Sequence, residues 1–244
     1  MSTRRLLLDA GNTRLKWALV DDGVWREQGS AAYTELASLA QWVKPGTRCY
    51  IASVARAQHE EQISKLLAPC GMTPRWLGAE ARFSDVRNSY AHPQQLGVDR
   101  WMGLIAVRHR TRKPALVVSA GTAMTVDALA ADGTFMGGLI VPGVALMQQA
   151  LQQGTARVAE VKGHWHAFPL STPDAVESGI LAALIGAIQL QCERMASMTG
   201  GMPHCILTGG DAEKLLPHLS MDVEHAPALV LEGIDCVARE DTAG

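Results

Sequence analysis

Two stretches of this 244-residue chain repeat one another. Leu6–Gly23, LLLDAGNTRLKWALVDDG, aligns without a gap on Leu116–Gly133, LVVSAGTAMTVDALAADG, at an offset of 110 residues with seven of 18 positions identical. Each copy reads as a short apolar strand, a small-residue turn and a second strand closing on Asp-Gly, a strong hairpin signal. A repeat whose period is one small domain long restricts the fold to a duplicated architecture. It predicts two similar halves, residues 1–113 and 114–244, with a ligand cleft where they face each other.

The remaining pattern is mixed α and β. Helical spacing is expected over Thr34–Val43, Gln58–Leu67, Asp99–Arg110, Gly143–Gln153, Asp174–Met198 and Leu229–Arg239. Strands are expected at Arg48–Val54, Arg75–Leu77 and Cys205–Leu207, with a loop over Asn88–Gly97. Hydrophobic residues make up 48% and charged residues 19%, which excludes a disordered chain. The net charge of -2 argues against a general nucleic-acid binder. Five scattered cysteines without CxxC spacing point to reduced thiols and a cytoplasmic protein. The longest apolar run, Gly179–Ile188, is short for a bilayer span, so no membrane association is expected.

Three segments have the residue types for phosphate chemistry. In Asp9-Ala10-Gly11-Asn12-Thr13, Gly11 permits close backbone approach, and successive N–H groups in such a turn make an anion-binding nest. Asp9 at the strand end suits a hard cation held through water, and Lys16 a phosphate. The same residues also fit an Asx-type turn with a solvated lysine. The equivalent turn Ser119-Ala120-Gly121-Thr122-Ala123 favours the phosphate reading, because two such turns can close on one polyphosphate. Leu207-Thr208-Gly209-Gly210-Asp211 reads as a strand-to-helix turn, open to close approach of a base or ribose.

This combination resembles the actin-like ATPase superfamily and, within it, the type III pantothenate kinase family, whose proteobacterial members are also labelled Bvg accessory factors. Four motifs carry the resemblance in order: Asp9 to Lys16 (D-x-G-N-[ST]-x-x-K), Gly97-Val98-Asp99-Arg100, Gly121-Thr122-Ala123, and the helix start Thr172 to Gly179. The resemblance implies an α/β, duplicated actin-like (ribonuclease H-like) two-domain fold with a nucleotide cleft between the halves. It implies ATP-dependent phosphorylation of pantothenate to 4′-phosphopantothenate, the first step of coenzyme A biosynthesis. Asp9, Ala10, Gly11, Asn12, Thr13, Arg14, Leu15 and Lys16, with Thr122, would bind ATP phosphates, Asp9 also holding Mg²⁺ through water. Tyr90, Gly97, Val98, Asp99, Arg100 and Thr172 would bind pantothenate, with Asp99 as general base and Thr172 reaching the substrate of a neighbouring subunit in a homodimer. A nucleotide-binding regulatory protein with weak or no kinase activity, and a kinase for another small hydroxyl compound, are the alternatives.

One position departs from the family pattern. Ser119 stands where the family carries the Asp that contacts K⁺ or NH₄⁺, so the monovalent-cation requirement is in question here. Asp127, five residues after Thr122, offers a compensating carboxylate, but its expected place is a strand end. Thr172-Pro173-Asp174 has the residue order of a helix start with Thr172 as N-cap. The small-residue stripe Gly179, Ala183, Gly186 suits close packing between domains, between subunits, or within a core. Trp101 is expected to wall the substrate pocket. His164-Trp165-His166 reads as a strand pair without a third metal ligand, and Arg108–Lys113 as a solvated, basic helix end.

Overall fold

The computed structural model describes residues 4–42, 44, 46–154 and 162–243. The elements begin with β1 (Arg5–Ala10), β2 (Arg14–Asp21), β3 (Val24–Ala32), a 3-10 segment Tyr33–Trp42, β4 (Arg48–Ser53), α1 (Ala57–Leu67) and β5 (Arg75–Trp76). A small hairpin of β6 (Arg82–Phe83) and β7 (Val86–Arg87) precedes α2 (Val98–Arg110). Then come β8 (Ala115–Ala120), β9 (Ala123–Leu129), β10 (Phe135–Pro142), α3 (Val144–Gly154) and α4 (Thr172–Thr199). The chain closes with β11 (His204–Thr208), α5 (Ala212–Leu215), β12 (Val223–His225) and α6 (Leu229–Ala243).

The repeat in the sequence is a repeat in topology. One sheet runs β3-β2-β1-β4-β5 and the other β10-β9-β8-β11-β12, each with an antiparallel meander of three strands beside two parallel ones. The Asp-Gly signal closes the first meander: Asp22 and Gly23 have φ of 49° and 79°, the left-handed pair that a two-residue hairpin requires. The gapless alignment fails at one point. Ala10 pairs with Leu15, but Ala120 pairs with Met124, so the second small-residue turn is one residue tighter. Asp127 consequently lies mid-strand, opposite Val117 and buried, rather than at a strand end.

The chain divides into two compact units, Met1–Arg110 with Ala228–Gly244, and Thr111–Pro227. The first division falls close to the expected boundary after residue 113, but the C-terminal segment rejoins the first unit instead of completing the second. Sequence spacing shows that α6 has an apolar face without showing which sheet it covers. In the first unit, Leu6, Leu8 and Ala10 pack with Leu15, Ile51, Leu39, Ile63 and Leu67 on one side of the sheet. The alternate residues of β1 face α6, which also lies on α2.

Three features fix α6 there. A Cβ at Gly233 would stand 2.0 Å from the Met102 carbonyl oxygen, so only glycine permits this closeness to α2. The buried Arg5 and Asp235 side chains pair at 2.9 Å, and Arg239 adds a second bond to the same carboxylate. Arg110 forms a two-pronged pair with Glu232. Arg108, expected in solvent, is buried and bonded twice to Asp85 beside the β6–β7 hairpin. The basic run is therefore partly consumed in structural pairing.

In the second unit, Leu116, Val118, Met124, Val126 and Leu207 pack on Ile180, Leu184, Ile188 and Cys192 of α4. Among the described residues, α4 is the one helix long and apolar enough to cross a membrane by length and composition. The core accounts for one of its faces. The segment His164–His166 is not a strand; the His164 and His166 N–H groups bond to Asp174 Oδ1 and Ser178 Oγ along α4.

Removing the carboxylate in Asp235→Ala leaves Arg5 buried without its counter-charge. The variant should lose about 3–5 kcal/mol of stability, read from urea unfolding.

Candidate functional site

The first unit places two carboxylates near one another. β1 alternates, sending Leu8 and Ala10 into the core and Leu7 and Asp9 to the opposite face. Asp9 pairs across the hairpin with Lys16, which shares that face. α2 covers the sheet on the same side, and its first turn carries Asp99. Burial pushes the Asp9 carboxyl up to about 7; Lys16 opposes the rise and the Asp99 charge adds to it. Asp99 is likewise raised, chiefly by burial, while the Arg100 N–H and the Arg100 charge pull it down. A carboxyl whose proton affinity is raised by desolvation is suited to accept a proton.

Asp99 is held locally. Its Oδ1 accepts the Arg100 N–H at 2.9 Å. A Cβ on Gly97 would stand 2.7 Å from that oxygen, so the glycine leaves the space the carboxylate occupies. Arg100 is buried, donates to the Tyr90 hydroxyl at 3.1 Å, and lies 5.9 Å above the Tyr90 ring. Tyr90 is set by Asn88, whose Oδ1 accepts the Tyr90 N–H and whose Nδ2 donates to the Glu80 and Pro93 carbonyls. The loop expected over Asn88–Gly97 is thus a braced segment that delivers Tyr90 to Arg100. The Val98 side chain is buried. Trp101, expected at the pocket wall, is 1% exposed and belongs to the core.

The eight hairpin residues divide by orientation. Ala10 and Leu15 side chains are wholly in the core, so only their backbone can meet a ligand. Gly11 N–H closes the turn on Arg14 O at 3.2 Å, and Asn12 and Thr13 are exposed. The Arg14 guanidinium is engaged with the Ser30 hydroxyl and carbonyl on β3. The Tyr33 hydroxyl donates to Gly11 O at 2.6 Å, a residue the motif does not mark.

In the second unit, the turn Gly121–Thr122 is braced by Gly143. Gly143 N–H donates to Thr122 O at 2.9 Å, and a Cβ there would stand 1.9 Å from Gly121 O. Gly209 has φ of 101° and presses on Ala120, where a Cβ would come within 2.0 Å of the carbonyl oxygen. Its close approach is therefore to β8, whereas Gly210 has open space before it.

The helix start at Thr172 differs by one residue from expectation. Ser171 is the N-cap, bonded to both Asp174 N–H and Asp174 Oδ2, and Thr172 is the first helical residue. The cap falls to Ser171 because its backbone is extended (φ -134°, ψ 155°). Thr172 borders a groove of about 820 Å³ with Met147, Leu151, Leu170 and Ile180 on its walls. Gly179, Ala183 and Gly186 lie exposed along the same helix.

A family model described as type III pantothenate kinase matches residues 5–194. The type III pantothenate kinase of Thiobacillus denitrificans is 57% identical over 244 residues, covering all of both chains. This chain belongs to the type III pantothenate kinase family. Its relative from Chromobacterium violaceum is 44% identical, across 96% of this chain and 99% of that one. Among solved structures, a putative Baf family transcriptional activator from Campylobacter jejuni superposes with a TM-score of 0.64 at 18% identity, covering 98% of this chain and 100% of the other. An archaeal actin homolog, Ta0583, gives 0.51 at 12% identity over 98% and 100% of the two chains. These likenesses establish the actin-like two-domain fold of this family member.

The raised Asp9 has a consequence for stability. The folded state holds its proton at a pH where the unfolded chain has released it, so stability falls as pH rises from about 4 toward 7. Asp9→Asn should match the wild type near pH 4 and exceed it at pH 8, by about 1.4 kcal/mol per unit of displacement, in ligand-free denaturation at the two pH values.

Proposed function

We propose that the chain transfers the γ-phosphoryl group of ATP to the primary hydroxyl of pantothenate, giving 4′-phosphopantothenate on the route to coenzyme A. The observation that carries this reading is the meeting of Asp9, at the end of β1, with Asp99, at the start of α2. One marks the phosphate hairpin and the other stands beside the Arg100–Tyr90 pair.

Asp99 is the general base. As the acceptor oxygen attacks the γ-phosphorus, its proton passes to the Asp99 carboxylate and the bond to the ADP oxygen breaks. Burial raises the proton affinity of Asp99, while the Arg100 N–H and charge oppose that rise and favour its ionised form. Arg100 and Tyr90 together offer a guanidinium and a phenol to the pantothenate carboxylate, with Gly97 and Val98 contributing backbone. Hairpin N–H groups and Lys16 stabilise charge on the phosphoryl oxygens. Thr122 contacts ATP, and Arg14 serves the hairpin through its hold on Ser30 rather than as a direct phosphate ligand.

Among the described residues, no three His, Cys, Asp or Glu side chains gather to hold a metal ion. A single hard carboxylate, Asp9, fits Mg²⁺ bound mainly by ATP phosphates and water. When bound, Mg²⁺ neutralises charge on the phosphates. For the monovalent cation, Ser119 pairs with Thr125 and Thr208 across β9, β8 and β11, forming a row of three hydroxyl residues. Thr208 Oγ1 is buried and unpartnered. Neutral oxygens fit K⁺ or NH₄⁺ weakly without the carboxylate of the family pattern.

A homodimer is part of this reading. The exposed stripe Gly179, Ala183, Gly186, with Leu190 at 44% and Leu170 at 101% exposure beside Thr172, suits a second copy. Thr172, relieved of capping by Ser171, has its hydroxyl for pantothenate of the neighbouring subunit. Scattered cysteines without CxxC spacing and the need for ATP support a cytoplasmic reaction.

Incubation with Mg·ATP and pantothenate should yield phosphopantothenate by mass spectrometry. Asp99→Asn should reduce turnover by about 10²–10⁴-fold while ATP affinity stays near wild type. Unchanged turnover would discard the base, and no product from the wild type under any cation would favour the regulatory alternative. K⁺ titration should give shallow activation that Ser119→Asp steepens; a steep response in the wild type would mean that neutral oxygens suffice.

A further inference from the structure

In both halves, the residue immediately after the third strand donates a hydrogen bond to a carbonyl of the small-residue turn. After β10 the donor is backbone, Gly143 N–H to Thr122 O at 2.9 Å. After β3 the donor is a side chain, the Tyr33 hydroxyl to Gly11 O at 2.6 Å. The duplication thus preserves the brace while changing its chemistry. The wider first turn, with four residues between paired ends instead of three, gives a longer reach for the donor to cover.

Tyr33 is itself fixed from the far side. Its ring lies flat on the imidazole of His59, with centroids 3.7 Å apart and planes 7° from parallel. His59 sits in the first turn of α1, and its Nδ1 is buried without a hydrogen-bond partner. The imidazole meets Tyr33 with its face, and its other nitrogen, Nε2, lies 3.5 Å from Gln58 Nε2. Burial and the neighbouring Asp9 and Glu60 charges push the Tyr33 hydroxyl up to about 12, so it remains a proton donor at physiological pH.

The Gly11–Asn12 peptide is trans, as are all peptide bonds among the described residues. Its carbonyl and the following N–H point in opposite directions. Holding Gly11 O toward Tyr33 turns Asn12 N–H away from Tyr33, while Gly11 N–H is already committed to Arg14 O. We infer that Tyr33 is a positioning residue for ATP: its hydroxyl sets the Gly11–Asn12 peptide so that Asn12 N–H is presented to the phosphate chain. His59 supports it by fixing the ring. This role rests on the reading of the first hairpin as a phosphate site.

Tyr33→Phe keeps the ring and its stack and deletes one oxygen. Kd and KM for ATP should rise about 3–10-fold, the loss of one hydrogen bond's worth of preorganisation. The KM for pantothenate and kcat should be unchanged, and Tm should fall only by the small amount that one hydrogen bond contributes. Direct titration with Mg·ATP gives the affinity whether or not pantothenate is the acceptor. Lys16→Ala tests the hairpin separately. Weakened ATP binding in Lys16→Ala with unchanged binding in Tyr33→Phe would overturn the role of Tyr33 and leave the hairpin reading standing. Unchanged binding in Lys16→Ala would remove the hairpin reading and this inference with it. A Tyr33→Phe variant that loses Tm, kcat and both affinities together would mark Tyr33 as merely structural and also overturn the inference.

Discussion

The carboxylate of Asp235 holds the two ends of the chain in one unit. It is buried between Arg5, at the start of β1, and Arg239, one turn further along α6. A buried charge without its partner is costly, so the pair specifies one seating for the C-terminal helix. Gly233 then lets α6 settle against Met102 of α2. Since Asp99 lies in the first turn of α2 and Asp9 one residue before the end of β1, this packing bears on how close the two acids come. A structural ion pair at one end of a strand thereby helps to seat the element that faces the acid at the other.

The two acids illustrate a conflict managed by position. Like charges in a desolvated site raise one another's proton affinity. Lys16 answers Asp9 from the paired strand, and Arg100 answers Asp99 from the next residue of the helix. Arg100 is in turn steadied by Tyr90, and Tyr90 by Asn88. Each link joins residues close in sequence, apart from the packing that brings β1 and α2 together.

Duplication supplied two copies of the same turn, and each was then supported differently. The second copy is tighter and is braced by backbone at Gly143, where no side chain fits. The first is wider and is braced by the Tyr33 hydroxyl. Gly209 serves β8 in a similar way, permitting the parallel neighbour to approach the turn. These supports lie outside the recognisable motifs because their partners are backbone carbonyls, which impose no residue type on the partner.

Much of the fold was legible in the chain itself. The repeated strand–turn–strand and its Asp-Gly punctuation determined the duplicated sheets, since a period of two and a left-handed turn are local properties. The family motifs marked the two turns, Asp9, Asp99 and Arg100. Tertiary structure decided the rest. It assigned α6 to the first unit, buried Arg108 and Trp101, moved the cap of α4 to Ser171, and shortened the second hairpin by one residue. It also found Tyr33, Gly143 and the orphaned Thr208 hydroxyl. Local sequence records the conformational preference of a segment and the pattern of its faces. Which partner covers a face, and which carbonyl a distant hydroxyl reaches, depend on contacts between residues far apart in the chain, and these form only when the whole unit packs.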